Sequence, residues 1–141
     1  LMNIIDGIFP PDSGKISLFG PQVVFSNPRQ AISQGIGMVF QHFMLIQNHS
    51  VAENIILGKG GLGQLKIDQV HLQINEICER YDLHVDPERK IRELSIGEQQ
   101  RVEIIKVLYR GAKILILDEI PKGATGKLQR IGLAEKLGLE P

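Results

Sequence analysis

Apolar residues recur along this chain at two spacings, and the elements change where the spacing changes. Leu1, Ile4, Ile5 and Ile8 share one helical face, so the first eight residues read as the end of a buried helix. Asp6-Gly7 and Pro10-Pro11-Asp12-Ser13-Gly14 stop it in a turn. Lys15 to Phe19 alternates polar and apolar residues as a half-buried strand does, Gly20-Pro21 breaks it, and Gln22 to Phe25 is a short extended piece. Asn27-Pro28-Arg29-Gln30 is a helix start, with Asn27 as N-cap, Pro28 in the first turn and Gln30 reaching back as in a capping box. Gly35 ends that helix, and Ile36 to Phe40 forms a compact strand that runs into Gln41.

Ser50-Val51-Ala52-Glu53 is a second capping-box start, for a helix through about Leu57. Gly58, Gly60, Gly61 and Gly63 predict a flexible loop. Val70, Ile74, Ile77, Cys78 and Tyr81 then repeat at helical spacing, which predicts an amphipathic helix over Ile67 to Tyr81. Ser95 and Gly97 precede another helix, carrying Val102, Ile105 and Leu108 and ending at Gly111. Ile114 to Leu117 is a continuous apolar run, as in a strand covered on both faces of a parallel sheet. A last helix-like stretch runs from about Lys127 to Leu137 and closes at Gly138. The order of elements makes the chain α/β with a helical insertion, and no repeat is present.

Composition narrows the function classes. The chain has 141 residues, 43% of them hydrophobic and 23% charged, with a net charge of zero. It is long enough for a core, and it has no overall pull toward nucleic acid or anionic lipid. The single cysteine, Cys78, excludes an internal disulfide framework and fits a reducing compartment. No apolar run is long enough to span a bilayer, and no secretory leader pattern opens the chain. Membrane association is therefore expected only through a partner.

Two segments carry candidate chemistry. The apolar run ends on Asp118-Glu119, two acids at the carboxyl end of a strand, where α/β sheets place their ligands. The first can hold Mg²⁺ through water and the second can polarise an attacking water in phosphoryl transfer; a solvated strand end accounts for the same residues. Shortly before it, Leu94-Ser95-Ile96-Gly97-Glu98-Gln99-Gln100-Arg101 sets a serine and a glycine at a helix start. Free backbone N–H groups and the helix dipole favour an anion there, although a plain N-cap serine gives the same pattern.

Together these segments resemble the signature motif and Walker B strand of ABC ATPases. Gly37-Met38-Val39-Phe40-Gln41 resembles the strand leading into that family's Q-loop, and Ser50 to Leu57 the entry to its helical subdomain. The resemblance runs from Leu1 to Glu119, with residues 42–93 as Q-loop and helical subdomain and 94–119 as signature helix and Walker B strand. It is strongest to bacterial importers of simple sugars and nucleosides, where the glutamate variant at Glu98 is common in place of glutamine. The resemblance implies a P-loop NTPase fold, ATP and Mg²⁺. It implies that Gln41 senses Mg²⁺ and the γ-phosphate, and that Ser95, Gly97 and Glu98 meet the nucleotide. Ser95 and Gly97 would touch the γ-phosphate of an ATP held by the opposite subunit of a head-to-tail dimer. Asp118 would support Mg²⁺ and Glu119 would be the catalytic carboxylate. His42 to His49 and the region from Ser50 to Leu83 would face a transmembrane permease subunit, placing the chain at the inner, cytoplasmic face of the plasma membrane. Phe43, Met44, Leu45 and Ile46 fit that role and a core role equally well.

The family's phosphate loop, Gly-x-x-x-x-Gly-Lys-Ser/Thr, does not occur: Gly14-Lys15, Gly58-Lys59 and Gly126-Lys127 all lack the flanking residues. The resemblance begins where that loop ends, so the chain is expected to be a fragment, inactive by itself. Beyond Glu119 the expected Pro-Thr is replaced by Ile120-Pro121-Lys122, and no histidine follows His84. Residues 120–141 form an unrelated-looking tail. Within it, Pro121-Lys122-Gly123-Ala124-Thr125-Gly126-Lys127-Leu128-Gln129-Arg130 resembles the C-terminal motif of acyl-adenylate-forming enzymes, which implies an anion contact for Lys127. Three alternatives stand beside the importer subunit: a non-catalytic partner completing an ATP site in trans, a piece of an acyl-adenylating enzyme, and a non-functional fusion.

Overall fold

The structure is a computed structural model that describes residues 2–5, 7–40, 42–58 and 66–117. Helix α1 spans Met2–Ile5, strand β1 Ile16–Ser17, strand β2 Gln22–Val23 and helix α2 Pro28–Ser33. Strand β3 follows at Ile36–Val39, then helices α3 at Val51–Ile56 and α4 at Ile67–Tyr81. A 3₁₀ turn at Ile91–Glu93 leads into helix α5, Ile96–Tyr109, and strand β4 closes the described chain at Ile114–Leu117.

The sheet explains how the core divides. β3 and β4 pair in parallel, with Ile36 opposite Ile114, Gly37 opposite Leu115, Met38 opposite Ile116 and Val39 opposite Leu117. Successive side chains of a strand point to opposite faces. Ile36, Met38, Ile114 and Ile116 accordingly join Leu18, Phe25 and Ala31 in one cluster beside the β1–β2 hairpin and α2. Val39, Leu115 and Leu117 join the larger cluster built from α3, α4 and α5, centred on Val51, Ile55, Ile74, Val102 and Ile105. The Ile114–Leu117 run is thus apolar because each face meets a different core. Only Ile116 is buried, the other three residues being half-buried.

Helix boundaries follow local chemistry. Ser50 and Ser95 each cap their helix in a complete capping box with Glu53 and Glu98. α4 matches the predicted Ile67–Tyr81 span and buries Val70, Ile74 and Cys78. The Asn27 side chain accepts from the Gln30 N–H at 3.1 Å, but Gln30 returns to the Ser26 N–H at 2.8 Å rather than to the cap residue. At the N-terminus α1 ends at Ile5 and Ile8 is 46% exposed, so the predicted four-residue apolar face stops short. Gly7 turns the chain there at φ +76°, and the Ile8 and Phe9 N–H groups fold back onto the Asn3 carbonyl. Lys15 to Phe19 and Gln22 to Phe25 shrink to a two-residue antiparallel hairpin, because Phe19 and Gly20 take positive φ in its turn. Leu1, the glycine loop beyond Gly58, and the tail helix predicted over Lys127 to Leu137 lie outside the described residues.

Candidate functional site

Parallel pairing brings the carboxyl ends of β3 and β4 to one edge, where Val39 faces Leu117. Along the sequence the next residues are Phe40-Gln41 and Asp118-Glu119. Gln41, Asp118, Glu119 and Lys127 themselves lie outside the described residues. Among the described residues no cluster of histidine, cysteine or acidic side chains forms a metal site.

Ser95, Gly97 and Glu98 are brought together at the first turn of α5. Gly97 is the second residue of the helix rather than a residue preceding it. Ser95 is exposed and extended (φ −63°, ψ 161°), as an N-cap must be. Its Oγ accepts from the Glu98 N–H at 3.3 Å and lies 2.8 Å from Glu98 Oε2, to which its proton is donated. The same oxygen, Oε2, accepts from the Ser95 N–H at 2.7 Å. Glu98 Oε1 accepts from Arg89 Nη1 at 3.0 Å, and Arg89 also donates to the Glu93 carbonyl. The hydrogen bond from the Ser95 backbone, with that from its hydroxyl and the nearby guanidinium, holds the Glu98 carboxyl below its ordinary range. It is therefore a carboxylate at neutral pH.

The intrahelical ladder leaves the Ile96 and Gly97 N–H groups at the helix start without helical acceptors. A Cβ built at Gly97 would meet nothing within 4 Å, so packing inside this chain does not require glycine there. Beside it Ile96 is 71% exposed. The turn presents a hydroxyl, free backbone donors and an apolar side chain on open surface. Backbone N–H donors at a helix start suit an anion, while the Ser95 hydroxyl is here engaged by Glu98.

A second group holds the segment that follows Gln41. Asn54 is 2% exposed; its Oδ1 accepts from the Ile46 N–H at 2.7 Å and its Nδ2 donates to the Ile46 and Ser50 carbonyls at 3.1 and 3.0 Å. From the other side, buried Glu103 of α5 accepts from the Met44 N–H at 3.0 Å. Lys106 pairs with Glu103 at 3.0 Å and reaches the Met44 carbonyl at 3.4 Å. Arg110, a turn further on, donates to the Leu57 carbonyl at 2.6 Å. Leu45 is buried while Met44 and Ile46 are exposed, so the four apolar residues from Phe43 to Ile46 divide between core and surface. Sequence reasoning missed Asn54, Arg89, Glu103, Lys106 and Arg110. The available signal was a charged residue inside the apolar run Val102-Glu103-Ile104-Ile105.

A family model described as ABC transporter matches residues 1–121. The chain belongs to the ABC transporter family. It is 46% identical over 121 residues to the guanosine import ATP-binding protein NupO of Bacillus subtilis, covering 84% of this chain and 24% of that protein. Over 122 residues it is 39% identical to the ribose import ATP-binding protein RbsA of Hahella chejuensis, again covering 84% and 24%. The chain thus spans about a quarter of the length of the curated relatives it matches. Among solved structures, cbiO1 from Clostridium perfringens, part of the ABC transporter complex cbiONQ, matches with a TM-score of 0.68 and 26% identity over 98% of this chain and 55% of that one. An ATP-binding cassette of an ABC transporter in its ADP conformation gives a TM-score of 0.71 over 96% of this chain and 56% of that one, at 24% identity, a likeness of fold. The α/β architecture described above is therefore the ABC ATPase fold, present in part. No helix among the described residues is long and apolar enough to cross a membrane.

Proposed function

We propose that this chain forms part of the ATP-binding subunit of an ABC importer of the sugar and nucleoside type, and that its α5 turn serves an ATP held by a partner subunit. The observation that carries this reading is the open turn at Ser95-Ile96-Gly97, set within a family match that covers residues 1–121. In a head-to-tail dimer the phosphate-binding loop comes from one subunit and this turn from the other. The Ser95 hydroxyl and the free N–H groups of Ile96 and Gly97 donate to the γ-phosphate, and Gly97 keeps the approach open. Ser95 has one O–H proton. To serve the phosphate it leaves Glu98 Oε2, which keeps the Ser95 N–H while Oε1 keeps Arg89. Glu98 thus acts at the edge of the nucleotide site, by holding the turn.

On the same reading Asp118 and Gln41 hold Mg²⁺ through water, and Glu119 polarises the attacking water. The permease contacts residues 42–49 and the helical region through Leu83, which keeps the subunit at the cytoplasmic face of the membrane. In support, a groove of about 350 Å³ borders that segment, lined by Ile32, Met38, Phe40, Met44 and Val107. Of these, Phe40 and Met44 are 47% and 76% exposed. Residues 42–93 and 94–119 are the two working parts of the domain, and 120–141 a separate tail.

The chain contains no Gly-x-x-x-x-Gly-Lys-Ser/Thr, the sequence whose backbone cradles ATP phosphates. The 141-residue chain supplied with ATP and Mg²⁺ is expected to release no phosphate above background. Turnover comparable to that of a complete ATP-binding subunit would show that the missing loop does not matter.

A further inference from the structure

Three side chains, at positions 103 and 106 of α5 and at its C-cap, Arg110, take hold of backbone belonging to other parts of the chain. Two of them, Glu103 and Lys106, both reach Met44, three residues after Gln41. Glu103 is 6% exposed, and its side chain and that of Lys106 retain only 8% and 12% of their surface. Within this pair each partner satisfies the other. Glu103 Oε1 accepts from the Met44 N–H at 3.0 Å and from Lys106 Nζ at 3.1 Å, Oε2 lies 3.0 Å from Nζ, and Nζ reaches the Met44 carbonyl at 3.4 Å. Both main-chain groups of Met44 are therefore bound to α5, although its own side chain is largely exposed. A buried ion pair is weak evidence for stability, because apolar residues of the same volume do as well or better. What it supplies is a fixed geometry between two elements. α5 is a continuous helix from Ile96, so a displacement at residues 103–106 reaches Ser95 about 12 Å away along a rigid rod.

We infer that Glu103 and Lys106 are positioning residues that lock the segment following Gln41 to the helix capped by Ser95, so that the two turns move as one body. The inference rests on the functional reading above for its meaning, since that reading places Gln41 at the Mg²⁺ of the nucleotide site and the α5 turn at the γ-phosphate. The physical link itself is independent of nucleotide. Occupation of the groove beside Met44 would then be felt at Ser95 through the Glu103–Lys106 pair.

The test uses the full 141-residue chain, isotopically labelled, with backbone amide resonances as the readout. Met44→Gly loosens the segment while leaving its N–H and C=O in place. It is expected to shift the Ser95, Gly97 and Glu98 amides in the otherwise native chain and to leave them unmoved in a Glu103→Gln/Lys106→Met background. Glu103→Gln alone, nearly isosteric, should raise hydrogen exchange at the Met44 amide by about tenfold, the effect of weakening one hydrogen bond. Should the double variant lose its fold, the Met44→Gly comparison is made in Glu103→Gln, where the shifts should shrink. With Glu103 intact, Lys106→Met should also shrink them, whereas Lys106→Arg, which keeps the charge and the donor, should leave them near native size. Shifts at Ser95–Glu98 of equal size with and without the pair would overturn the inference, as would no shift in the native background. Failure to assist a partner's ATPase would sink the functional reading and leave these shifts untouched.

Discussion

Gly37 sits in the middle of β3, opposite Leu115 and beneath α5. A Cβ placed there would lie 2.0 Å from Val107 Cγ1, 2.9 Å from Ala112 Cβ and 3.4 Å from Val107 Cβ. Carbon atoms settle at roughly 3.5–4.0 Å, so Gly37→Ala forces a displacement of about 1.5 Å between strand and helix. Val107 has little room to turn aside, because a β-branched side chain in a helix strongly prefers one rotamer. Overpacking of this kind costs about 1–3 kcal/mol, and two separate contacts argue for the upper part of that range. For a chain of this length the melting temperature should fall by about 4–12 °C. Urea unfolding followed by far-UV circular dichroism measures the change as a lower midpoint at unchanged slope. Val107→Ala alone should cost about 2 kcal/mol through lost burial and a cavity. Combined with Gly37→Ala it should cost less, because it removes the methyl that clashes, giving a favourable coupling of about 1 kcal/mol or more. A Gly37→Ala chain within about 0.5 kcal/mol of the parent, or strictly additive losses in the pair, would refute the direct packing of α5 on β3. That packing is what sets the α5 turn relative to the strand leading to Gln41.

Two further predictions follow from the polar groups. Asn54→Ala removes the partners of the Ile46 N–H and carbonyl at a buried site and should cost about 2–4 kcal/mol in urea unfolding; a loss below about 0.5 kcal/mol would mean that Asn54 does not hold the segment. The Glu53 and Glu98 carboxyls are both held below their ordinary range, in each case chiefly by the backbone N–H of the capping serine. Their stabilisation is thus present above the ordinary glutamate value and is lost as the pH falls through the lowered folded-state values. A Glu53→Gln/Glu98→Gln chain should show a flatter stability curve over that acid range, measured by melts at successive pH values, and an unchanged slope would count against both caps.

Much of this fold was legible in the sequence because its elements are locally determined. Ser50-x-x-Glu53 stated a capping box, and Val70, Ile74 and Cys78 stated the buried face of α4, since cap and stripe lie within one element. The same Ser-x-x-Glu spacing at Ser95 suggests anion chemistry through its serine and glycine, yet it is the capping box with Glu98 that organises the turn. Elements that depend on distant partners were less legible. Ile8 lies beyond the turn at Gly7 and outside the helix its spacing implied, because the chain folds back onto Asn3. Gly37 looked like one letter of a motif until Val107 was placed above it. Glu103 and Lys106 act on a residue some sixty positions away, a pairing that helical spacing cannot express. Gln41, Asp118 and Glu119, the residues assigned to metal and catalysis, lie outside the described residues, and their roles remain part of the functional proposal.

The central claim is that the α5 turn completes an ATP site whose phosphate loop belongs to another subunit. Its most direct test mixes this chain with an intact nucleoside-importer ATP-binding subunit whose own signature serine has been replaced by arginine, and measures phosphate release. The account predicts that the native chain raises hydrolysis in a concentration-dependent manner and that Ser95→Arg abolishes the rise. No rise with the native chain, or an equal rise with Ser95→Arg, would contradict it.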